Sequence, residues 1–111
     1  MIFLNVGGIG FMTSEDTLRS IHSFFTPLLN SHTDENIPIF IDRDPTYFRY
    51  ILNWMRGVQV LPNDIDVLNE LYVEADFYSI DSMKEYIEKK KKQASTLQHE
   101  VSKINHILER R

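Results

Sequence analysis

Residues 41–57 read IDRDPTYFRYILNWMRG, and their reading decides the fold. An apolar β-type run, Ile37 to Ile41, with Pro38 marking its start as an edge position, ends in the charged string Asp42-Arg43-Asp44. Pro45 follows. Proline lacks an amide proton and its fixed φ suits the first turn of a helix, so Asp44 is expected as N-cap and Pro45 as the first helical residue. Phe48, Ile51, Leu52 and Met55 then fall on one helical face. Gly57 stands where a helix turns left-handed to stop. A capped junction of this kind needs one acidic residue. Asp42 and Arg43 are therefore expected to find their partners outside it.

Toward the N-terminus, Ile2 to Val6 and Ile9 to Thr13 read as two strands, and Gly7-Gly8 between them as a hairpin turn. No lysine and hydroxyl residue follow at the spacing of a phosphate loop. Thr13 or Ser14 can cap a first helix whose opening turn carries Glu15 and Asp16, acidic residues that suit the positive end of the helix dipole. Ser23 can cap a second helix, Phe24 to Asn30, whose regularity Pro27 limits. Residues 31–38 form a polar surface loop.

Toward the C-terminus, Val58 to Leu61 is expected as a brief strand and Pro62-Asn63-Asp64 as a turn. Asp64 or Asp66 opens a helix in which Val67, Leu68, Leu71, Tyr72 and Ala75 recur at helical spacing. A last helix starts near Asp81 or Ser82. Met83, Ile87, Lys90, Ala94, Leu97, Val101, Ile104 and Leu108 alternate steps of four and three, a heptad seam broken once by Lys90. The expected organisation is a folded domain over residues 1–88 and a C-terminal helix over 89–111. That helix is either a short parallel coiled coil or a lone helix.

Composition narrows the functional classes. The chain has 111 residues, an ordinary 42% of them hydrophobic, which suits one small α+β domain. Its net charge of -4 argues against nucleic acid as a partner. There is no cysteine, which removes disulfides, thiolate metal sites and cysteine nucleophiles together. No apolar run approaches the ~20 residues of a membrane span, so no direct membrane insertion is expected. The expected setting is cytoplasmic, as a whole protein or part of a larger one. His99 and His106 lie two helical turns apart, too far to share one metal within a chain. Arg43 between Asp42 and Asp44 lowers rather than raises their affinity for protons, which does not suit a general base. Neither catalytic residues, nor a metal, nor a cofactor is expected, and the chain is not read as an enzyme.

Six motifs occur in order: LNVGG at 4–8, TSEDTL at 13–18, FIDRDP at 40–45, FRYILNWMRG at 48–57, LP at 61–62 and EADFYSI at 74–80. Together they resemble the BTB/POZ-type tetramerisation domain of the potassium-channel tetramerisation-domain (KCTD) family, over residues 2 to about 88. The resemblance implies a small three-stranded sheet covered by a helical cluster, and a ring of four or five copies joined head to tail. It implies Asn5, Asp42, Arg43, Asp44 and Tyr47 as the oligomer interface. Without cysteine, the zinc site between subunits of several channel relatives cannot form. The DRDP string and the ILNWMR helix look like the soluble group that recruits substrate proteins to cullin-3 ubiquitin ligases. For that contact the resemblance points to Phe77 and, more weakly, Phe24. A pure assembly domain for a channel or other scaffold is the alternative.

Overall fold

The structure is a computed structural model and describes residues 1–109. Strands β1 (Ile2–Val6) and β2 (Ile9–Thr13) pair antiparallel. Strand β3 (Ile39–Ile41) adds parallel to β1, so the sheet order is β2-β1-β3. The hairpin turn needs glycine twice, because Gly7 and Gly8 have φ of 55° and 100°. Alternation along the strands gives the sheet two unlike faces. Leu4, Val6, Ile39 and Ile41 are buried, while Phe3, Met12 and Phe40 are exposed on the other side.

The buried face is covered by helices. Helix α1 (Glu15–Arg19) is capped by Ser14, whose side chain accepts from the Thr17 amide. Helix α2 (Phe25–Ser31) starts where the Ser23 hydroxyl accepts from the Phe25 amide and the Thr26 hydroxyl accepts from the Ser23 amide, so Ser23 does act as a cap. Helix α3 spans Phe48–Met55, α4 spans Ile65–Phe77 with Asp64 as N-cap, and α5 spans Asp81–Glu109. Phe25, Phe48 and Tyr78 meet at the centre of the core, with Phe25 and Tyr78 stacked at 5.6 Å. Trp54 ties α3 to the start of α5 by donating to the Ser82 hydroxyl at 3.1 Å.

Both α3 and α4 end in Schellman motifs, in which two amides beyond the helix satisfy its last carbonyls. After α3, Gly57 N donates to the Trp54 carbonyl at 3.2 Å and Val58 N to that of Asn53 at 2.9 Å. Gly57 has φ of 88°, as its expected role requires. After α4, Ser79 N donates to Asp76 and Ile80 N to Ala75. Here the left-handed residue is Ser79, at φ 57°.

Three local expectations are corrected. Strand β3 is shorter than 37–41, since Ile37 and Pro38 lie outside the ladder. Val58 to Leu61 forms no strand, and only Leu61 of that stretch is buried. Asp44 does not cap α3. Its Oδ1 accepts from both the amide and the hydroxyl of Thr46, two residues on, which closes a turn instead of a helix. Phe48 N then bonds the Pro45 carbonyl three residues back, so the helix itself begins only at Phe48.

Candidate functional site

The junction between β3 and α3 is held by the hairpin. Asn5 accepts from the Gly8 amide at 2.8 Å and fixes the turn. Gly7 donates to the Ile41 carbonyl at 2.9 Å. It sits so close to the next residues that a Cβ on Gly7 would lie 2.4 Å from the Arg43 carbonyl oxygen. The turn closed by Asn5 is thus pressed onto Arg43–Pro45, but Asn5 itself lines a different depression, with Phe3, Gly8 and Met12, while Asp42, Arg43 and Asp44 share one surface. Tyr47 completes it. The Glu70 carboxylate of α4 beside its hydroxyl raises the tyrosine's pKa.

Asp42, Arg43, Asp44 and Tyr47 line a shallow groove between the β3–α3 junction and α4. Asp42, Asp44 and Tyr47 form one side, and Glu70, Val73 and Glu74 the other. Asp44 is held below the usual carboxylate range by the hydroxyl and amide of Thr46. Asp42 is exposed and joins no salt bridge among the described residues. Arg43 differs from its neighbours. Its guanidinium donates to the Glu74 carboxylate, a pairing that holds its pKa above the usual value, and lies over the Phe77 ring at 4.3 Å. Arg43 therefore has one partner outside the junction and within its own chain, Glu74. The outward-facing carboxylates are those of Asp42, Asp44 and Glu70.

Phe77 and Phe24 were named separately in the sequence and meet in the fold. Phe24 N donates to the Tyr78 carbonyl at 2.9 Å, which docks the start of α2 on the end of α4. The Phe24 and Phe77 rings then lie 5.2 Å apart. Phe77 is 37% exposed and Phe24 half-buried. Beneath them Tyr78 is buried, and its hydroxyl has no partner among the described residues. Burial, and then the nearby Glu74 charge, push the Tyr78 pKa up, with Arg43 opposing. Arg43 thus touches both surfaces, the polar groove on one side and the aromatic pair on the other.

The sequence did not single out Glu70, Val73 or Glu74. Glu74 and Phe77 stand three apart in EADFYSI and so share a helical face, which was the available signal. Arg56 was also read only as part of α3. It donates to the Met12 carbonyl at 3.0 Å, on the free edge of β2, and to Asn53 at 3.3 Å. No carboxylate among the described residues pairs with it. Carboxylates thus follow β3, while Arg56, without a carboxylate partner, flanks β2, where Glu15 and Asp16 open the next helix.

Among the described residues no cluster of histidine and carboxylate side chains is arranged to hold a metal, and no helix is long and apolar enough to cross a membrane. The sequence profile of the BTB/POZ domain matches residues 2–89. The chain belongs to the BTB/POZ domain family. Its mixed three-stranded sheet under a helical cluster is the expected α+β fold, and the resemblance to KCTD proteins holds as well. The chain is 44% identical to human BTB/POZ domain-containing protein KCTD3 over 72% of its length, and 35% identical to human BTB/POZ domain-containing protein KCTD5 over 96%. It is also 45% identical to bovine SH3KBP1-binding protein 1 over 72% of its length. It spans only part of these relatives: 10% of KCTD3, 49% of KCTD5 and 12% of SH3KBP1-binding protein 1. A BTB/POZ domain with such relatives is consistent with protein–protein interaction and assembly.

Proposed function

We propose that copies of this chain close head to tail into a ring of four or five, and that the ring serves as a substrate adaptor for cullin-3 ubiquitin ligase. The observation that carries this reading is a groove of outward carboxylates on one part of the domain and a guanidinium without a carboxylate partner on another. Asp42, Asp44 and Glu70 stand on the β3 side, and Arg56 stands on the β2 side without a carboxylate of its own. Surfaces that differ in this way complement each other between copies, not across a two-fold axis, and a heterologous contact closes into a ring when its rotation allows. Tyr47 and Val73 add apolar area to the same contact.

Cullin-3 docking falls to Phe77 and Phe24. Exposed aromatic residues are the usual anchors of protein interfaces, and this pair is held rigid by Arg43 from the side and Tyr78 from below. The substrate protein would be held by sequence beyond the domain or by the C-terminal helix. That SH3KBP1-binding protein 1 is named for a protein partner supports a role in recruiting proteins.

Native mass spectrometry with and without the N-terminal domain of cullin-3 tests both halves. The wild-type ring is expected to gain cullin-3 mass. Phe77→Ala is expected to keep the ring and a native circular dichroism spectrum but to lose cullin-3 by at least about tenfold in affinity, the effect of a hot-spot residue. A ring that never gains mass would leave assembly as the whole function.

A further inference from the structure

Helix α5 changes character along its length. Met83 and Ile87 are fully buried against the domain. Lys90, next in the seam, reaches over the Tyr86 ring at 5.9 Å, and that ring lies 5.3 Å from Trp54. The start of α4 at Ile65 faces α5 as far as Gln98. Past Ala94 the same seam continues, but the described residues offer nothing to cover it. Leu97, Val101, Ile104 and Leu108 are between 48% and 64% exposed, and Ile107 beside them is 60% exposed.

We infer that the last turns of α5 from all copies of one ring gather into a single parallel helical bundle on the ring axis. The inference rests on the ring proposed above and adds a second interface to it. Several observations make copies of this chain the occupant. The seam keeps the step of seven that holds one face of a helix against identical helices, and it is in phase with the buried positions Met83 and Ile87. Glu100 and Ile107 flank the seam on one side, and Gln98 and Asn105 on the other. Parallel copies in register therefore set no like charges opposite each other. Leu108 with Ile104 takes the core arrangement that favours more than two strands, Val101 with Leu97 the one that favours two, and Ile107 widens the apolar stripe as a larger bundle requires.

Length decides between free and tethered association. The exposed seam covers roughly two heptads, whereas a stable coiled coil of separate chains takes about three or four. A ring removes that shortfall, because it holds the helices side by side at an effective concentration on the order of millimolar.

The chain has no cysteine, so one introduced thiol per chain reports its position without ambiguity. The full chain is prepared with Val101→Cys or Ile104→Cys in the seam, and with His99→Cys or His106→Cys on the opposite side of the helix. Native mass spectrometry first establishes the ring, and a short bis-maleimide is then added. Seam variants are expected to crosslink at least about tenfold more than outer variants, with the mass of one ring retained. Equal crosslinking at both sets, none at either, or a doubled ring mass would overturn the bundle while leaving the ring. A monomeric chain before crosslinking would overturn the ring itself.

Discussion

Arg43 is the residue through which the polar groove and the aromatic pair touch. Its guanidinium neutralises Glu74, whose side chain is only 13% exposed, and covers one face of Phe77. Arg43→Ala would strand that carboxylate. The cost lies between that of an exposed ion pair and that of a buried one broken on one side, about 1–3 kcal/mol in urea unfolding. Reversing the charge at Arg43 would act on the fold before it acted on a neighbouring copy, so Asp42 and Arg56 are the cleaner places to perturb assembly. Tyr78 is the other residue of note. Its buried hydroxyl has no partner among the described residues, so Tyr78→Phe loses no protein hydrogen bond and is expected to change stability by less than about 1 kcal/mol. The pH dependence is specific. Burial raises the folded-state pKa of Tyr78, so above about pH 10 the unfolded chain gives up this proton while the folded chain keeps it. Stability contributed by Tyr78 is therefore complete below that pH and falls as pH rises further. Urea midpoints measured from pH 8 to 11 should fall in the wild type and fall less in Tyr78→Phe.

The elements were legible in the sequence where local chemistry and tertiary packing agree. The Gly7-Gly8 hairpin, the Ser14 and Asp64 caps and the Gly57 stop all follow from residues a few places apart. Where a short side chain had a nearer partner, the reading slipped: Thr46 captured Asp44, and α3 starts at Phe48 rather than Pro45. Val58 to Leu61 has strand composition but no neighbouring strand to pair with, which composition alone does not reveal. The candidate site was legible in part. Its β3 side follows from the FIDRDP motif, but its α4 side depends on the pairing of Arg43 with Glu74, 31 positions apart, and no periodicity encodes that. Two substitutions test the elements themselves. Ser79 holds the left-handed position after α4 at the steric cost of a Cβ, so Ser79→Gly should raise stability by about 1 kcal/mol. Gly7→Ala meets the Arg43 carbonyl, whereas Gly8→Ala points into open space. Both carry a left-handed penalty of about 1–2 kcal/mol, and Gly7→Ala should cost clearly more in the same urea measurement.

At the scale of the whole molecule, a small domain leaves much of its apolar surface uncovered. The outer sheet face shows Phe3, Met12 and Phe40 to solvent, and α5 shows its seam. A chain this short buries only about 60–65% of its unfolded surface, and association is the direct way to cover more. The carboxylates of Asp42, Asp44 and Glu70 and the unpartnered guanidinium of Arg56 are the groups to test for that purpose. Native mass spectrometry of the full chain at about ten micromolar, on the wild type, Asp42→Arg, Arg56→Glu and the double variant, tests assembly most directly. The expected result is a mass of four or five chains for the wild type, smaller species for each single variant, and recovery of the ring in the double variant. A wild-type monomer, or a ring indifferent to both single reversals, would contradict head-to-tail assembly through these groups.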